Sequence, residues 1–283
     1  MLGVDTTKRV GDAIIRFMQE YDATHNKQDF KKQRLHYTRV FAYLLEKIGD
    51  IHLIKVQQKV LIEHAQAMRA DGKSAATVNN YFSVINSLFR KCREEYEWMP
   101  NLVKVPLFTN KNAVIRWITR TDADKLISHL SPALGKLTEF TLQTGLRWAN
   151  ASGLLWEQVH LDRKCVIIEG KFMKNGKPLF IPLTPTAIKI LKAQLGQHPV
   201  YVFITAYGKP FSKNPPKNLW ETALNKAGIT NFRWHDLRHT WASWHVQRGI
   251  ALNTLMELGG WSSYEMVLRY AHLSKEHLRE AVK

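Results

Sequence analysis

The sequence predicts a mainly α-helical protein that carries one small antiparallel β-sheet and divides into two domains. Helical spacing of apolar residues dominates the first hundred residues, and one pair of β-rich runs flanks Asn175-Gly176. Between these regions, prolines and asparagines within 99–115 break the periodicity. We therefore predict a helical domain over residues 1–104 and an α+β domain over residues 112–283, each long enough to bury its own core.

Two apolar stripes define helices of the first domain. Their members recur every three or four residues, so each stripe is predicted to face a core. Ser74 is positioned to cap the start of the second helix, and Gly49 to end the first. The stripes are Tyr37, Val40, Phe41, Leu44 and Leu45, and then Val78, Tyr81, Ile85, Leu88 and Phe89.

The second domain begins with a helix in "TDADKLISHL", for which Thr121 is the predicted cap. The stretch "KLTEFTLQTGLRWANASGLLWEQVHL" is predicted to be helical, with an interruption at Thr144-Gly145. In "CVIIEGKFMKNGKPLFIPL", the pair Asn175-Gly176 favours a tight hairpin turn between two strands. Helices are predicted again from "TPTAIKILKAQL" to the end.

The balance of charge indicates a polyanionic partner. Lys and Arg number 41 against 24 Asp and Glu, which gives a net charge of +17. The excess is shared, since residues 1–110 carry 17 basic and 12 acidic residues (+5) and residues 111–283 carry 24 and 12 (+12). This distribution is typical of proteins that bind nucleic acid, and a basic protein without such a partner is the alternative.

Composition also limits the cellular location of the protein and the kinds of cysteine site that it can form. No apolar run approaches the roughly 20 residues of a membrane span, and the N-terminus lacks the apolar segment of a secretory signal peptide. The two cysteines, Cys92 and Cys165, fit a reducing cytosol and exclude a disulfide framework or an all-cysteine zinc site. We therefore expect a cytoplasmic, nucleoid-associated protein with no membrane partner.

The stretch "WHDLRHTWASWHV" places His235, Arg238 and His239 on one helix face. A zinc metalloprotease helix has the same histidine spacing, but it needs glutamate where this chain has Asp236, and the charge of Arg238 would repel a metal ion. A phosphate fits better, because arginine and histidine both donate hydrogen bonds. The structural alternative is that His235 caps a core helix while Arg238 pairs with a nearby acid.

Further motifs extend this pattern along most of the chain, which resembles the tyrosine site-specific recombinases, the family of the lambda-type phage integrases. The resemblance implies a helical core-binding domain followed by an α+β tyrosine-recombinase catalytic domain. The lysine lies eight residues before a proline and the tyrosine nine residues after a tryptophan, as the family spacing requires. The boxes "TGLRWAN", "KNGKPLFIPL", "HDLRHT", "LGGWSS" and "RYAHL" supply Arg147, Lys174, His235, Arg238, Trp261 and Tyr270.

The resemblance implies that Tyr270 attacks a DNA phosphodiester and forms a 3′-phosphotyrosine, which leaves a free 5′-hydroxyl. Arg147 and Arg238 would hold the scissile phosphate and favour its more negative transition state. His235 would donate a hydrogen bond or exchange a proton, and Trp261 would offer its indole N–H.

Lys174 is the implied acid for the 5′-oxygen, with Lys171 and Lys177 as alternatives. Tyr264 and Tyr201 are alternative nucleophiles, although neither lies in an "RY" box. Asn150 stands where many relatives carry an acid, and its amide carbonyl could still orient the first arginine. His239 is expected to support the site rather than contact phosphate. Candidate DNA contacts on the core-binding helix are Thr77, Asn80 and Arg90.

The resemblance also implies the partners. These are double-stranded DNA and a homotetramer on paired DNA sites, with neither a metal nor a nucleotide cofactor, and a host DNA-bending protein is a candidate accessory. Only about twenty residues precede the core-binding region, so an arm-binding domain is either foreign to this relative or missing from a shortened chain. Two alternatives are an inactive DNA-binding prophage relic and a type IB topoisomerase-like enzyme, which relaxes DNA without bringing two sites together.

Overall fold

The computed structural model describes residues 4–25, 31–109, 115–172 and 176–274. It confirms the predicted fold class, a mostly helical chain with a small antiparallel sheet. The chain divides into two compact units, residues 1–113 and 114–283, which we call the first and second units. None of the described helices is long and apolar enough to cross a membrane.

The described part of the first unit is built from helices around one apolar core. Both predicted stripes face this core, with Phe41 and Leu44 buried on one helix and Ile85 and Phe89 on another. Ser74 caps its helix as predicted, because its hydroxyl accepts a hydrogen bond from the backbone N–H of Thr77. The helices are α1 (Val10–Thr24), α2 (Lys31–Ile48), α3 (Gln58–Ala70) and α4 (Ala75–Glu94).

Two asparagines of α4 hold the segment that follows it. The amide of Asn86 donates to the carbonyl of Val105 at 2.9 Å and accepts from its N–H at 2.8 Å. Asn79 binds Phe108 in the same way, at 2.8 and 2.9 Å. Since Val105 is also buried in the core, this segment packs as part of the first unit.

The helices of the second unit begin at a different cap from the predicted one. Thr119, not Thr121, caps the first of them, because its hydroxyl accepts from the N–H of Asp122 while donating to the carboxylate of the same residue. The predicted interruption at Thr144-Gly145 is confirmed, and Gly145 ends its helix in the left-handed region, with φ of 66°. The helices are α5 (Arg120–Ser128), α6 (Pro132–Thr144), α7 (Trp148–Ser152), α8 (Pro185–Lys192), α9 (Lys217–Ala227), α10 (Asp236–Gln247), α11 (Leu252–Gly259) and α12 (Glu265–Leu268).

The sheet has three strands, β1 (Val159–His160), β2 (Cys165–Ile168) and β3 (Leu179–Pro182), in the order β1-β2-β3. The predicted helix through "WEQVHL" is therefore wrong, since a 3-10 turn and β1 occupy it. The tight turn at Asn175-Gly176 is also wrong: the strands close at the pair Ile168 and Leu179, and residues 169–178 connect them. Asn175 itself lies outside the described residues.

Helix α10 lies at the centre of the second unit, where it packs against α6 and α11. Its buried residues lie on all sides rather than along one stripe, and they include polar groups such as Thr240 and Ser243. Leu237 and Trp244 belong to the main core. Residues on another side form a second apolar cluster that contains Tyr270. The helix that carries the "HDLRHT" box is thus fixed by packing on most of its surface.

Candidate active site

Arg238 is the most deeply buried cation of the site, with 3% of its surface exposed. Its guanidinium donates to the carbonyl of Gly145 at 2.7 Å and to the carbonyl of Gly259 at 2.5 Å. Burial and the nearby charge of Arg147 lower the pKa of Arg238 to about 9, which still leaves the group charged at neutral pH. Because its neighbours here are carbonyls rather than a carboxylate, its full charge remains available to an anion.

Two glycines make these contacts sterically feasible. A Cβ at Gly145 would lie 2.4 Å from the ring of Trp241, and a Cβ at Gly259 would lie 2.0 Å from the ring of Trp261. The carbonyls of both glycines accept hydrogen bonds from Arg238. The "TG" and "GG" pairs of the motifs therefore allow two backbone turns to close around one arginine.

Trp261 lies against Arg238 with its ring face. The guanidinium carbon is 4.2 Å from the centre of the indole, a cation–π contact. Trp261 also stacks on Trp241, with centroids 6.1 Å apart, and its ring centre is 5.9 Å from that of Tyr270. Trp261 thus connects the arginine to the tyrosine through packing, in addition to any hydrogen bond that its indole could donate.

An aromatic pair fixes the segments that carry Arg147 and His235. Trp148, which follows Arg147, packs edge-to-face on Trp234, which precedes His235, with ring centres 4.6 Å apart. Burial lowers the pKa of Arg147. The pKa of His235 is also lowered, first because surrounding protein displaces water and then because of the charges of Arg238 and Arg147. Its imidazole is therefore neutral at pH 7 and lies within the field of both arginines.

Tyr270 is completely buried, and its phenol oxygen is 2.6 Å from Nδ1 of His239. Burial raises the pKa of Tyr270 to about 12, against the opposing effects of Arg238 and Arg269. Burial, followed by the neighbouring His235, lowers the pKa of His239 to about 4. The tyrosine is thus a protonated phenol, hydrogen-bonded to a neutral imidazole.

The structure brings five of the six predicted residues into one cluster, and the sixth, Lys174, lies outside the described residues. Of its alternatives, Lys171 is exposed and pairs with Glu169 at 2.8 Å. The alternative nucleophile Tyr264 is about half exposed. Tyr201 bridges to Leu155 and packs near His198, and neither of these residues belongs to the cluster.

The predicted DNA contacts differ in their surroundings. Asn80 and Arg90 are exposed on α4, and Arg90 lies 3.6 Å from the carboxylate of Glu94. Thr77 is partly buried, and its hydroxyl is 2.8 Å from that of Ser74 within the helix cap. Their contact with DNA stays a prediction. Within the described ranges, no three His, Cys, Asp or Glu side chains converge as a metal site would require.

The sequence predicted that His239 only supports the site, whereas in the structure its Nδ1 contacts the phenol of the candidate nucleophile, Tyr270. The roles of Gly145 and Gly259 as carbonyl acceptors also went unrecognised. The signal for the glycines was their position beside motif residues, where a side chain would collide with a tryptophan. The signal for His239 was its i+4 spacing from His235, which puts both imidazoles on the same face.

Comparison with known proteins agrees with the motifs. The model of the Phage integrase family matches residues 116–277. The integrase of Salmonella phage P22 is 33% identical over 300 residues, which cover 95% of this chain and 77% of that protein. Tyrosine recombinase XerA of Pyrococcus horikoshii is 26% identical over 255 residues, covering 87% of this chain and 86% of that protein.

Solved structures share the fold over nearly the whole chain. The Tn1549 transposon integrase, in complex with circular intermediate DNA, superposes with a TM-score of 0.78 at 16% identity, covering 98% of this chain and 99% of that one. A lambda integrase, solved as a tetramer bound to a Holliday junction, gives a TM-score of 0.75 at 18% identity, covering 94% and 78%.

Proposed function

Because the chain belongs to the phage integrase family, the tyrosine recombinases, we propose that it cleaves and rejoins DNA at specific sites through a covalent link to Tyr270. The observation that carries the proposal is the convergence of a phenol, two histidines and two arginines around α10. This cluster offers a nucleophile, positive charge and proton-exchanging groups, which phosphodiester cleavage requires together.

Each residue has a distinct role in the proposed reaction. Tyr270 attacks the phosphorus, and its oxygen replaces the 5′-oxygen to give a 3′-phosphotyrosine. Arg147 and Arg238 bind the nonbridging oxygens, whose charge increases in the transition state. His235 donates to one of these oxygens, and Lys174 protonates the departing 5′-oxygen.

Rejoining follows as the reverse reaction. The 5′-hydroxyl of a second strand attacks the phosphotyrosine and releases the phenol. Because the covalent link retains a phosphodiester, the exchange needs no ATP, and the charge that a metal would supply comes from Arg147, Arg238 and Lys174. Cofactor independence is part of the proposal.

The proposed biological setting is phage or prophage integration and excision, which the similarity to the phage P22 integrase supports. The partner is double-stranded DNA, in keeping with the charge of +17. A homotetramer on two sites is the proposed assembly, by analogy with the lambda integrase tetramer bound to a Holliday junction. A host DNA-bending protein is the proposed accessory, and the first unit is the proposed core-binding domain.

The test is covalent capture on DNA. The protein is incubated with a library of nicked fragments from its own genome and denatured, and the protein-linked strands are sequenced while the modified peptide is mapped. We expect a 3′-linked adduct on Tyr270 that Tyr270→Phe abolishes. An adduct on another tyrosine would overturn the assignment.

Two further outcomes separate the alternative functions. Tight, salt-sensitive DNA binding without any adduct would identify an inactive DNA-binding relic. Adducts accompanied by relaxation of plasmids, without strand exchange between two copies of the captured sequence, would identify a topoisomerase-like enzyme.

A further inference from the structure

The contact between His239 and Tyr270 has a geometry that the proposed roles do not use. Nδ1 of His239 lies 2.6 Å from the phenol oxygen, and the two ring centres are 5.9 Å apart. The oxygen that would attack phosphorus therefore already has an imidazole nitrogen at hydrogen-bonding distance. Among the residues that the structure describes, this is the hydrogen bond found for the phenol.

The protonation states fix the direction of this hydrogen bond. Burial raises the pKa of Tyr270 to about 12, so the phenol keeps its proton and donates it. Burial lowers the pKa of His239 to about 4, so the imidazole is neutral, with Nδ1 as acceptor and the proton on Nε2. The charged groups that act on this imidazole are Arg269 and Arg238, which lower its pKa, and Asp236, which raises it.

His235 is less well placed for the same task. It lies one turn earlier on the helix, and its ring packs edge-to-face on His239, with centroids 5.1 Å apart. His239 therefore stands between His235 and the phenol in this chain of contacts. Asp236, the nearest acid in sequence, turns to Arg233 and accepts from its backbone N–H at 2.8 Å.

We infer that His239 is the catalytic residue that accepts the phenolic proton of Tyr270 when the tyrosine attacks DNA, an inference that rests on the proposed function. The P–Oη bond forms while the P–O5′ bond breaks. The phenolic proton passes from Oη to Nδ1 of His239, and the 5′-oxygen takes a separate proton from Lys174, the proposed acid. In rejoining, the proton on Nδ1 returns to Oη and the 5′-hydroxyl returns its proton to the lysine, so the exchange consumes none.

In the DNA-free protein, the phenol holds its proton far more tightly than the imidazole would. DNA reverses this order in two ways. The bound phosphate adds negative charge, which raises the pKa of His239. The phenol oxygen loses basicity as it bonds to phosphorus. Proton transfer is therefore coupled to bond formation, as in general base catalysis.

The test uses His239→Asn in the full chain. The asparagine oxygen takes the place of Nδ1 and can still accept a hydrogen bond, but it cannot take up a proton. The substrate is the duplex recovered by covalent capture, in two forms, one with the natural phosphate and one with sulfur in place of the scissile 5′-bridging oxygen. A thiolate leaves without a proton, so only defects on the nucleophile side persist on the sulfur substrate.

We expect His239→Asn to slow adduct formation about 10²- to 10⁴-fold on both substrates. Lys174→Ala should slow adduct formation on the oxygen substrate, and the rate should recover on the sulfur substrate. His245→Asn is the matched control, since that histidine lies on the same helix, has a pKa lowered by burial, and directs Nδ1 to the carbonyl of Trp241 at 2.8 Å. The rate of adduct formation by His245→Asn should stay within about twofold of that of the unchanged protein, because His245 does not touch the reacting atoms.

A wild-type rate for His239→Asn on both substrates would overturn the inference, because the hydrogen bond alone would then suffice. A faster rate would overturn it as well and identify the contact as a latch that restrains Tyr270. If the variant does not fold, the pH dependence of the unchanged protein on the sulfur substrate decides: the rate should fall as pH drops and a histidine becomes protonated, and a flat profile contradicts the inference. Failure of the unchanged protein to form any adduct would instead reject the proposed function.

Discussion

Helices α4 and α10 each organise one unit, but they use polar residues in opposite ways. In α4 the buried residues are apolar, and the polar ones lie toward solvent or toward the segment held by Asn79 and Asn86. In α10 polar and charged residues such as Asp236, Arg238 and Thr240 are buried. Helix α4 keeps its polar groups apart from its core, whereas α10 places polar and charged groups within it.

The two helices also differ in how much free energy the burial of their polar groups costs. Burying a charge without an opposite charge is unfavourable, and Arg238 lies between two carbonyls with another arginine nearby. Such an arrangement is expected where an anion completes the site. Changes in α10 should therefore impair activity strongly, and changes in α4 should have local effects.

The largest effect is expected for Arg238→Lys. Lysine cannot reproduce the planar fork that spans Gly145 and Gly259, and it loses the stack on Trp261. Adduct formation should fall about 10²- to 10³-fold in single-turnover assays, as for the loss of a preorganised donor.

The matched control is Arg120→Lys, since Arg120 also stacks on a tryptophan, 4.4 Å from the ring centre of Trp244, but outside the cluster. It should leave the rate nearly unchanged. Equal loss in both variants would mean that arginine–tryptophan stacking, rather than the site, determines the rate.

The next effect is expected for Gly145→Ala, measured as the free energy of unfolding in urea. The new methyl group would meet Trp241 at 2.4 Å in a left-handed backbone conformation, so we expect a loss of about 3 kcal/mol. Gly196→Ala has a similar φ of 78° with open space around it, and should cost only about 1 kcal/mol. Equal losses would show that backbone strain, and not the close approach to the tryptophan, makes glycine necessary.

A smaller and local effect is expected for Asn86→Ala in the first unit. Val105 loses both hydrogen bonds to the amide, so its N–H should exchange with solvent about tenfold faster, corresponding to about 1.4 kcal/mol. Amide exchange read at Val105 and Phe108 is the measurement. Asn79→Ala should instead accelerate exchange at the N–H of Phe108. Equal acceleration at both amides in either variant would mean that the segment opens as one piece.

The smallest effect is expected for Arg90→Ala on the exposed face of α4. Its ion pair with Glu94 is open to solvent, so stability should change by less than about 0.5 kcal/mol. If Arg90 contacts a phosphate, the slope of log affinity against log salt should decrease by about 0.9. Lys59→Ala on α3 is the control, and an equal change in slope for both would argue against a specific contact.

The comparison also explains how far the sequence could predict the structure. The core face of α4 follows from apolar residues at helical spacing, because one side of that helix faces a core and the other faces solvent. Helix α10 has no such stripe, and only the motif indicated that its residues belong to a candidate site. Motif order proposed five candidate residues, and the structure brings them into one cluster: Arg147, His235, Arg238, Trp261 and Tyr270.

Contacts between distant segments could not be predicted in the same way. Arg238 and Gly145 are 93 residues apart, and His239 and Tyr270 are 31 apart, so no local pattern encodes either contact. The tight turn at Asn175-Gly176 was wrong for a related reason. The pair has the local preference, but the strands end at Ile168 and Leu179. Beyond them Gly170 approaches Gly176 so closely that a Cβ on Gly170 would lie 2.1 Å from the carbonyl oxygen of Gly176.

The spacing of the paired asparagines on α4 also sets how far the chain between their two partners must extend. Asn79 and Asn86 lie seven residues apart, which is about 10.5 Å along a helix axis. The residues that they bind are Phe108 and Val105, and three residues cover such a distance only in a nearly extended chain, at about 3.4 Å each. An inserted residue between Val105 and Phe108 would thus detach one asparagine, so helix α4 itself fixes the length of this stretch.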